Sequence, residues 1–158
     1  MTHRQSEKPS EWLILDARLG ADWQRTIRKL PHGSGVLLLR HELSARERRK
    51  LLALLNPIAR ARRLKVMDGG TRCAARVHNV RELRRASAAR VPLILLSPIF
   101  TTRSHPEWKP LPRMRAAALA RLAKRRAIAL GGMNRRRFRA VQKLGFIGWA
   151  GIGGWIRT

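Results

Sequence analysis

Short apolar runs alternate with longer amphipathic segments along almost the whole chain, and hairpin signals do not occur between them. Runs such as "EWLILDAR", "GVLLLRH" and "VPLILLSPIF" are typical of buried strands, and stretches such as "VRELRRASAAR" predict helices. Strand followed by helix, repeated in this way, predicts parallel strands joined by right-handed crossovers. We therefore expect an α/β protein.

One pair of predicted strands breaks this alternation. The predicted strands are 11–18, 35–41, 64–70, 72–78, 91–100, 127–133 and 146–152, and the predicted helices are 21–30, 45–63, 80–90, 113–126 and 134–145. Parallel strands need a connection of about a dozen residues or more, and 64–70 and 72–78 have no such room between them. Either a βα unit is missing near residues 69–73 or one of these two runs is not a strand.

Helix boundaries carry local signals as well. Ser44 followed by Glu47 predicts a capping box at the start of the second helix, and Pro57 is expected to kink or divide that helix. Asn79 is expected to cap the third helix.

The length sets the number of domains. With 158 residues the chain fits one domain but is short for a complete (β/α)8 barrel, which needs roughly 200 residues or more. We expect a polar N-terminal tail over 1–10 and a single domain over 11–158. The tail lacks the apolar core of a secretory signal, and the longest apolar runs are about half of the ~20 residues that span a membrane. A cytoplasmic protein without a membrane span is the expectation.

The charge is strongly positive, with 35 Lys and Arg against 9 Asp and Glu and a net charge of +26. Such a charge predicts non-specific attraction to nucleic acid, because contacts of Arg and Lys with phosphate dominate that affinity. The arginines are spread over every predicted helix, however, and solvated helix faces rich in arginine give the same count. Without tyrosine and with only 3 phenylalanines, the chain offers few rings on which bases could stack.

A polar loop follows the strand in "LILLSPIFTTRSHPEWKP" (93–110). Loops at the ends of buried parallel strands are where α/β proteins usually keep their chemistry. Thr101, Thr102, Ser104 and His105 can donate hydrogen bonds to phosphate or carboxylate oxygens. The alternative is a solvated loop closed by prolines.

Glycines mark the ends of the last two predicted strands. Gly131 and Gly132 lie where one strand ends and the next helix begins, a place where backbone N–H groups bind phosphate. Gly151 and Ile152 after the last strand would supply the second half of such a cradle. The alternative is a plain turn that needs the φ freedom of glycine.

Six segments together resemble a known family. "LLSPIFTTRSHP" resembles the end of the sixth barrel strand of thiamine phosphate synthases, and "LILDAR", "LLLRHELSARE", "ARVHNVREL", "AIALGGM" and "FIGWAGIGG" are similar to other strand ends of that family in the same order. The resemblance to the thiamine phosphate synthase and TenI superfamily implies a TIM-type (β/α) barrel. It would be incomplete, with about seven strands and one βα unit missing near residues 69–73.

The resemblance also implies an activity. Members of the family join hydroxymethylpyrimidine diphosphate to thiazole phosphate in thiamine biosynthesis, and diphosphate is released with the help of Mg²⁺. Two alternatives stay open. One is a degenerate TenI-like protein that binds a phosphate or thiazole without transferring anything, and the other is a basic RNA-associated protein on a barrel scaffold.

The same resemblance assigns candidate residues. His105 stands at the position of a family lysine in the loop after strand six. Asp68 lies near the family's metal-binding pair and is the candidate magnesium ligand; the alternative is a role in the "DGG" turn. On the second strand, Arg40 and His41 are the only candidates for diphosphate contacts. His41 shares a face with Leu39, whereas a shift of the strand register by one residue would place Arg40 on that face instead. His78 is a further catalytic candidate or a strand-end cap.

A missing βα unit would leave an open sheet edge near Cys73. Open edges invite association with another chain, so a homo-oligomer is one expectation for this sequence.

Overall fold

The computed structural model describes residues 8–68 and 70–156, so 1–7 of the expected tail lie outside the described residues. Within this part the strands are β1 (Glu11–Leu15), β2 (Gly35–Leu38), β3 (Lys65–Met67), β4 (Ala74–Val77), β5 (Leu93–Leu96), β6 (Ala127–Ala129) and β7 (Gly148–Gly151). The α-helices are α1 (Trp23–Arg28), α2 (Ala45–Ala61), α3 (Val80–Ala88), α4 (Arg113–Leu122) and α5 (Arg135–Val141). Short 3-10 helices span Ala17–Asp22, Gly70–Arg72 and Gln142–Leu144. Among the described helices, none has both the length and the apolar character of a membrane-spanning segment.

The strands form one parallel sheet in the order β3-β2-β1-β7-β6-β5-β4. β3 and β4 are consecutive along the chain but occupy opposite edges of the sheet. This is the order of a barrel that is open between its third and fourth strands. The prediction of an α/β, incomplete TIM-type barrel is confirmed, and both 64–70 and 72–78 contribute a strand, so the missing βα unit is the correct alternative.

Alternate residues of each strand enter different apolar clusters, because successive side chains of a strand point to opposite faces. One cluster fills the inner face of the curled sheet. Its members are Trp12, Ile14, Leu37, Ala74, Leu93, Leu95, Ile128, Leu130 and Ala150. The outward residues pack under the helices in two further clusters, one around β1 and β2 and one around β4 to β7. Side chains therefore occupy the interior, and a ligand site must lie at the ends of the strands.

The predicted helix caps are present. The Ser44 hydroxyl accepts from the Glu47 N–H at 3.3 Å, and the Glu47 carboxylate accepts from the Ser44 N–H at 2.8 Å. Asn79 accepts from the Glu82 N–H at 3.0 Å and so caps α3. Pro57 does not divide α2, which runs through it unbroken. Proline has no N–H group to donate to the carbonyl four residues earlier in the helix. Because Pro57 is exposed, water can donate a hydrogen bond to that carbonyl instead.

Several arginines are bound to backbone carbonyls instead of carboxylates. Arg62 donates to the Leu30 carbonyl from Nε at 3.1 Å and from Nη2 at 2.5 Å. Arg126 donates to the Val91 carbonyl at 3.0 Å and to the Ser87 hydroxyl at 2.9 Å. A guanidinium offers five donors, which lets one side chain connect several loop and helix ends. Part of the basic composition therefore holds the fold together.

Four basic residues adopt the left-handed backbone conformation beyond the ends of α2, α3 and α4. They are Arg63, Arg90, Lys124 and Arg125, with φ between 47° and 59°. This position after a helix usually holds glycine, because the left-handed region costs other residues roughly 1–2 kcal/mol.

We predict that Arg90→Gly stabilises the protein. The Arg90 side chain is exposed, its φ is 53°, and its N–H already bonds to the Ser87 carbonyl at 3.0 Å. Relief of the backbone strain is expected to outweigh the larger conformational entropy that glycine loses on folding. The free energy of unfolding should therefore rise by about 0.5–1 kcal/mol. Urea titration measures this change. Arg90→Ala is the matched control, since it removes the side chain but keeps the strain; equal stability of the two variants would contradict the prediction.

Candidate functional site

A cavity of about 930 Å³ opens at the carboxyl ends of β5, β6 and β7. Two sets of loops line it. The polar loop after β5 contributes Thr101, Thr102, Ser104 and His105, and the turns after β6 and β7 contribute Gly131, Gly132, Gly151 and Ile152. The structure thus brings all the sequence-predicted phosphate-binding residues, and His105, into one cavity. Their binding role stays a prediction.

The turn after β6 packs tightly against the loop after β5. Gly131 and Gly132 have φ of 95° and 59°, which favour glycine. A Cβ on Gly132 would lie 2.3 Å from the Thr101 carbonyl oxygen, and one on Gly131 would lie 2.8 Å from Pro98 Cα. The Phe100 N–H also donates to the Gly131 carbonyl at 3.1 Å. Glycine at these positions is therefore what allows the two loops to form one wall.

Arg137 fixes this wall from the side of α5. Its Nη1 donates to the Gly132 carbonyl at 2.5 Å, and its guanidinium carbon lies 5.2 Å from the centre of the Phe100 ring. Asn134 caps α5 by accepting from the Arg137 N–H at 2.8 Å. Arg137 therefore braces the glycine turn and adds a positive charge to the cavity rim.

Arg18 connects the polar loop to the segment after β1. Its Nη1 donates to the Ser104 hydroxyl at 2.9 Å, and its Nε donates to Asp16 Oδ2 at 2.8 Å. Asp16 also accepts from the Arg18 N–H at 3.0 Å and caps the short helix that follows. The Ser104 N–H donates to Thr102 Oγ1 at 3.2 Å. Sequence reasoning missed Arg18; an arginine two residues after a strand-ending aspartate was the available signal.

Two histidines contact one tryptophan beside the cavity. The His105 ring stacks on Trp108 with centroids 4.1 Å apart, and its Nδ1 lies 3.3 Å from Glu107 Oε1. The His78 ring meets the edge of Trp108 at 5.9 Å, and its Nδ1 lies 2.9 Å from Glu82 Oε2. Burial raises the pKa of Glu82, but hydrogen bonds from the His78 backbone and ring outweigh it and lower the pKa overall. His78 does not line the cavity; it supports Trp108, which does.

The structure does not bring the second-strand candidates into the cavity. Leu37 and Leu39 contact the inner cluster, as the predicted register of β2 requires, but the strand ends at Leu38 and His41 lies in an exposed turn. Arg40 pairs with Glu42. His41 lies near the β3–β4 connection, since a Cβ on Gly70 would lie 3.2 Å from its Cε1. Neither residue lines the cavity.

Asp68, the predicted magnesium ligand, forms an ion pair with Arg48 of α2. Met67 packs against the inner cluster, so the next residue, Asp68, points to the outer face. The hydrogen bond between Asp68 and the Arg48 guanidinium raises the pKa of Arg48. The cavity lining contains no Asp or Glu, and the described residues contain no group of three His, Cys, Asp or Glu that could hold a metal. Mg²⁺ prefers carboxylate oxygens. The donor set therefore does not fit a protein-held magnesium ion.

Positive charge dominates the cavity. Four arginines line it: Arg18, Arg76, Arg103 and Arg137. Arg76 of β4 lies in register with Leu95, a member of the inner cluster, and its side chain reaches the cavity. Although the residue is solvent-exposed, desolvation by the surrounding protein lowers the pKa of Arg76, and the nearby charge of Arg18 lowers it further. Such a cavity is suited to an anion.

Comparison with solved structures identifies proteins of the same fold. A thiamine phosphate pyrophosphorylase from Pyrococcus furiosus superposes with a TM-score of 0.70 at 16% identity, over 94% of this chain and 87% of that chain. A thiamine phosphate pyrophosphorylase from Bacteroides thetaiotaomicron gives a TM-score of 0.56 at 13% identity, over 92% and 83%. Identity at this level shows a shared fold.

Comparison of the sequence with curated proteins gave no significant match. The sequence model of the family described as thiamine monophosphate synthase, in contrast, matches residues 56–154, which is more than half of the chain. This segment includes the polar loop and both glycine turns of the cavity. The chain belongs to the thiamine monophosphate synthase family.

Proposed function

We propose that the cavity binds the phosphate groups of small substrates and that the protein joins hydroxymethylpyrimidine diphosphate to thiazole phosphate with release of diphosphate. The observation that carries this proposal is a cavity in which hydroxyl donors, glycine turns and four arginines meet without any lining carboxylate. Membership of the family and the fold shared with two thiamine phosphate pyrophosphorylases support it.

The glycine turns and the polar loop would hold the phosphate of the thiazole. Thr101 and Thr102 offer hydroxyl donors, and the turns at Gly132 and Gly153, whose backbone N–H groups are further potential donors, also line the cavity. Hydrogen bonds to a charged oxygen are about twice as strong as neutral ones. His105 adds a ring N–H donor at the place where the family resemblance expects a lysine.

Apolar side chains would hold the aromatic rings of the two substrates. Ile14, Leu130, Met133, Trp108 and Ile156 also line the cavity, beside its polar groups. Walls of this kind reduce the amount of water around a reacting centre, which protects a cationic intermediate from hydrolysis.

The reaction needs one bond to break and one to form. The bond between the pyrimidine methylene carbon and the diphosphate oxygen breaks, and its electron pair leaves with the diphosphate. The lone pair of the thiazole nitrogen then forms the new C–N bond to that carbon. The protein's contribution is to orient the two substrates and to stabilise the charge that develops on the leaving oxygen.

A second candidate function is binding of a thiazole or other small phosphate without transfer. It is favoured by the positions of Arg40 and His41 outside the cavity and by the ion pair that engages Asp68. The RNA-associated alternative gains less, because arginines such as Arg62 and Arg126 are bound to backbone carbonyls of the fold itself.

We predict that purified protein forms thiamine phosphate and diphosphate in equal amounts from the two half-substrates. Chromatographic separation of the products, with and without added Mg²⁺, measures this. Binding of thiazole phosphate without any product under either condition would support the second candidate and contradict the transferase. Retention of RNA with a steep salt dependence, together with no binding of either half-substrate, would favour the RNA-associated alternative.

We further predict that Gly153→Asp weakens binding of thiazole phosphate by about tenfold or more, because a second negative charge then lies beside the anion. Gly153 lines the cavity, and a Cβ there has no heavy atom within 4 Å, so the side chain fits without strain. Isothermal titration calorimetry measures the affinity.

Gly153→Asn is the matched control, since it has the same shape without the charge and should bind within about threefold of the unmodified protein. Equal affinities of Gly153→Asp and Gly153→Asn would show that the phosphate lies elsewhere. Gly132 is a poorer choice, because any side chain there meets the Thr101 carbonyl and displaces the loop.

A further inference from the structure

None of the carboxylates of the described residues lines the cavity, and most of them already have a partner. Of these side chains only Asp22 has no partner, and it lies beside α1 in a separate depression. The engaged groups are Asp16 with Arg18, Asp68 with Arg48, Glu11 with Arg135, Glu42 with Arg40, Glu47 with Ser44, Glu82 with His78, and Glu107 with His105. A divalent cation in the cavity would therefore find water and substrate oxygens but no free carboxylate of these residues.

Arg76 is one of two cavity arginines without a side-chain partner in the described part of the chain. It extends from the inner face of β4, and within the described residues it forms neither an ion pair nor a side-chain hydrogen bond. Its guanidinium is partly desolvated and lies near the guanidinium of Arg18, with only Asp16 acting in the opposite sense. Its donors are therefore available to an anion in the cavity, and the charge of such an anion would offset the repulsion between the two guanidinium groups.

The remaining arginines of the cavity differ in how far they are free to bind a ligand. Arg18 is anchored by Asp16 and Ser104, and Arg137 by the Gly132 carbonyl, so both have structural partners. Arg103 is exposed on the polar loop and lines the same cavity as Arg76. Arg76 and Arg103 thus offer two guanidinium groups from different elements, one on a strand and one on a loop.

We propose that Arg76 and Arg103 bind the diphosphate group directly, so that the cavity holds this leaving group without a divalent cation. The identity of the substrate that carries the diphosphate rests on the proposed function; the metal-independent binding of diphosphate does not. A guanidinium presents a planar pair of donors that matches two phosphate oxygens, and its charge does not depend on pH in the physiological range. When the C–O bond breaks, these donors stabilise the electron pair that leaves with the diphosphate oxygen.

The test measures binding of inorganic pyrophosphate by isothermal titration calorimetry, once in excess EDTA and once in excess MgCl2. We expect affinities within about threefold of each other in the two conditions. Arg76→Gln should lower the affinity in EDTA by roughly ten- to a hundredfold, the range for loss of a charge-assisted hydrogen bond. Arg103→Gln, on an exposed loop, should lower it in the same direction and provides a second variant if Arg76→Gln fails to fold.

Arg72→Gln is the matched control for net charge. Arg72 is exposed in the short 3-10 helix before β4 and does not line the cavity, so its loss should leave the affinity unchanged. Binding of pyrophosphate that requires MgCl2 would overturn the proposal. Full affinity in both Arg76→Gln and Arg103→Gln would overturn it too, as would an equal loss in Arg72→Gln, since that indicates non-specific attraction.

The two proposals fail in different ways. Pyrophosphate that binds in EDTA, together with no thiamine phosphate from the half-substrates, would remove the proposed function and leave the arginine site standing. Thiamine phosphate that forms only with added Mg²⁺, together with pyrophosphate binding that also needs Mg²⁺, would support the function and remove the arginine site.

Discussion

The short connection between β3 and β4 determines the arrangement of the rest of the molecule. Parallel strands cannot pair side by side without a long crossover, so β3 and β4, which follow one another within a few residues, do not pair; they lie at opposite edges of the sheet. Met67 at one edge packs against the inner apolar cluster, and Ala74 at the other edge is part of it. The interior is thus filled from both edges although, among the described residues, β3 and β4 do not pair with each other. The cavity lies at the ends of β5 to β7, where pairing is continuous.

Scarcity of acidic residues is the second constraint. With nine carboxylates for 35 Lys and Arg side chains, most guanidinium groups cannot find an ion-pair partner. The fold uses some of them as donors to carbonyls at loop and helix ends, as with Arg62 and Arg126. In the cavity the same imbalance leaves four arginines and no carboxylate among the lining residues. The composition therefore shapes both the scaffold and the chemistry that the site can perform.

Local patterns in the sequence predicted much of this structure, because they are set by neighbouring residues. The capping box at Ser44, the Asn79 cap and the inward register of β2 each follow from residues a few positions apart. The resemblance to the family predicted the barrel and the loops of the cavity. The missed features depend on contacts distant in sequence: Arg18 with Ser104, and Asp68 with Arg48. Arg76 was missed because its inward direction matters only once β4 is known to border the cavity.

The bonds from arginine to backbone carbonyls have a consequence for the conditions that the fold tolerates. In an ion pair the carboxylate takes up a proton in acid, and dissolved salt screens the attraction when the pair is exposed. A carbonyl group does not titrate, and a guanidinium keeps its charge at any ordinary pH. The hydrogen bonds from Arg62 to Leu30 and from Arg126 to Val91 therefore contain no group that gains a proton in acid. This part of the scaffold is held together by hydrogen bonds whose strength changes little with pH.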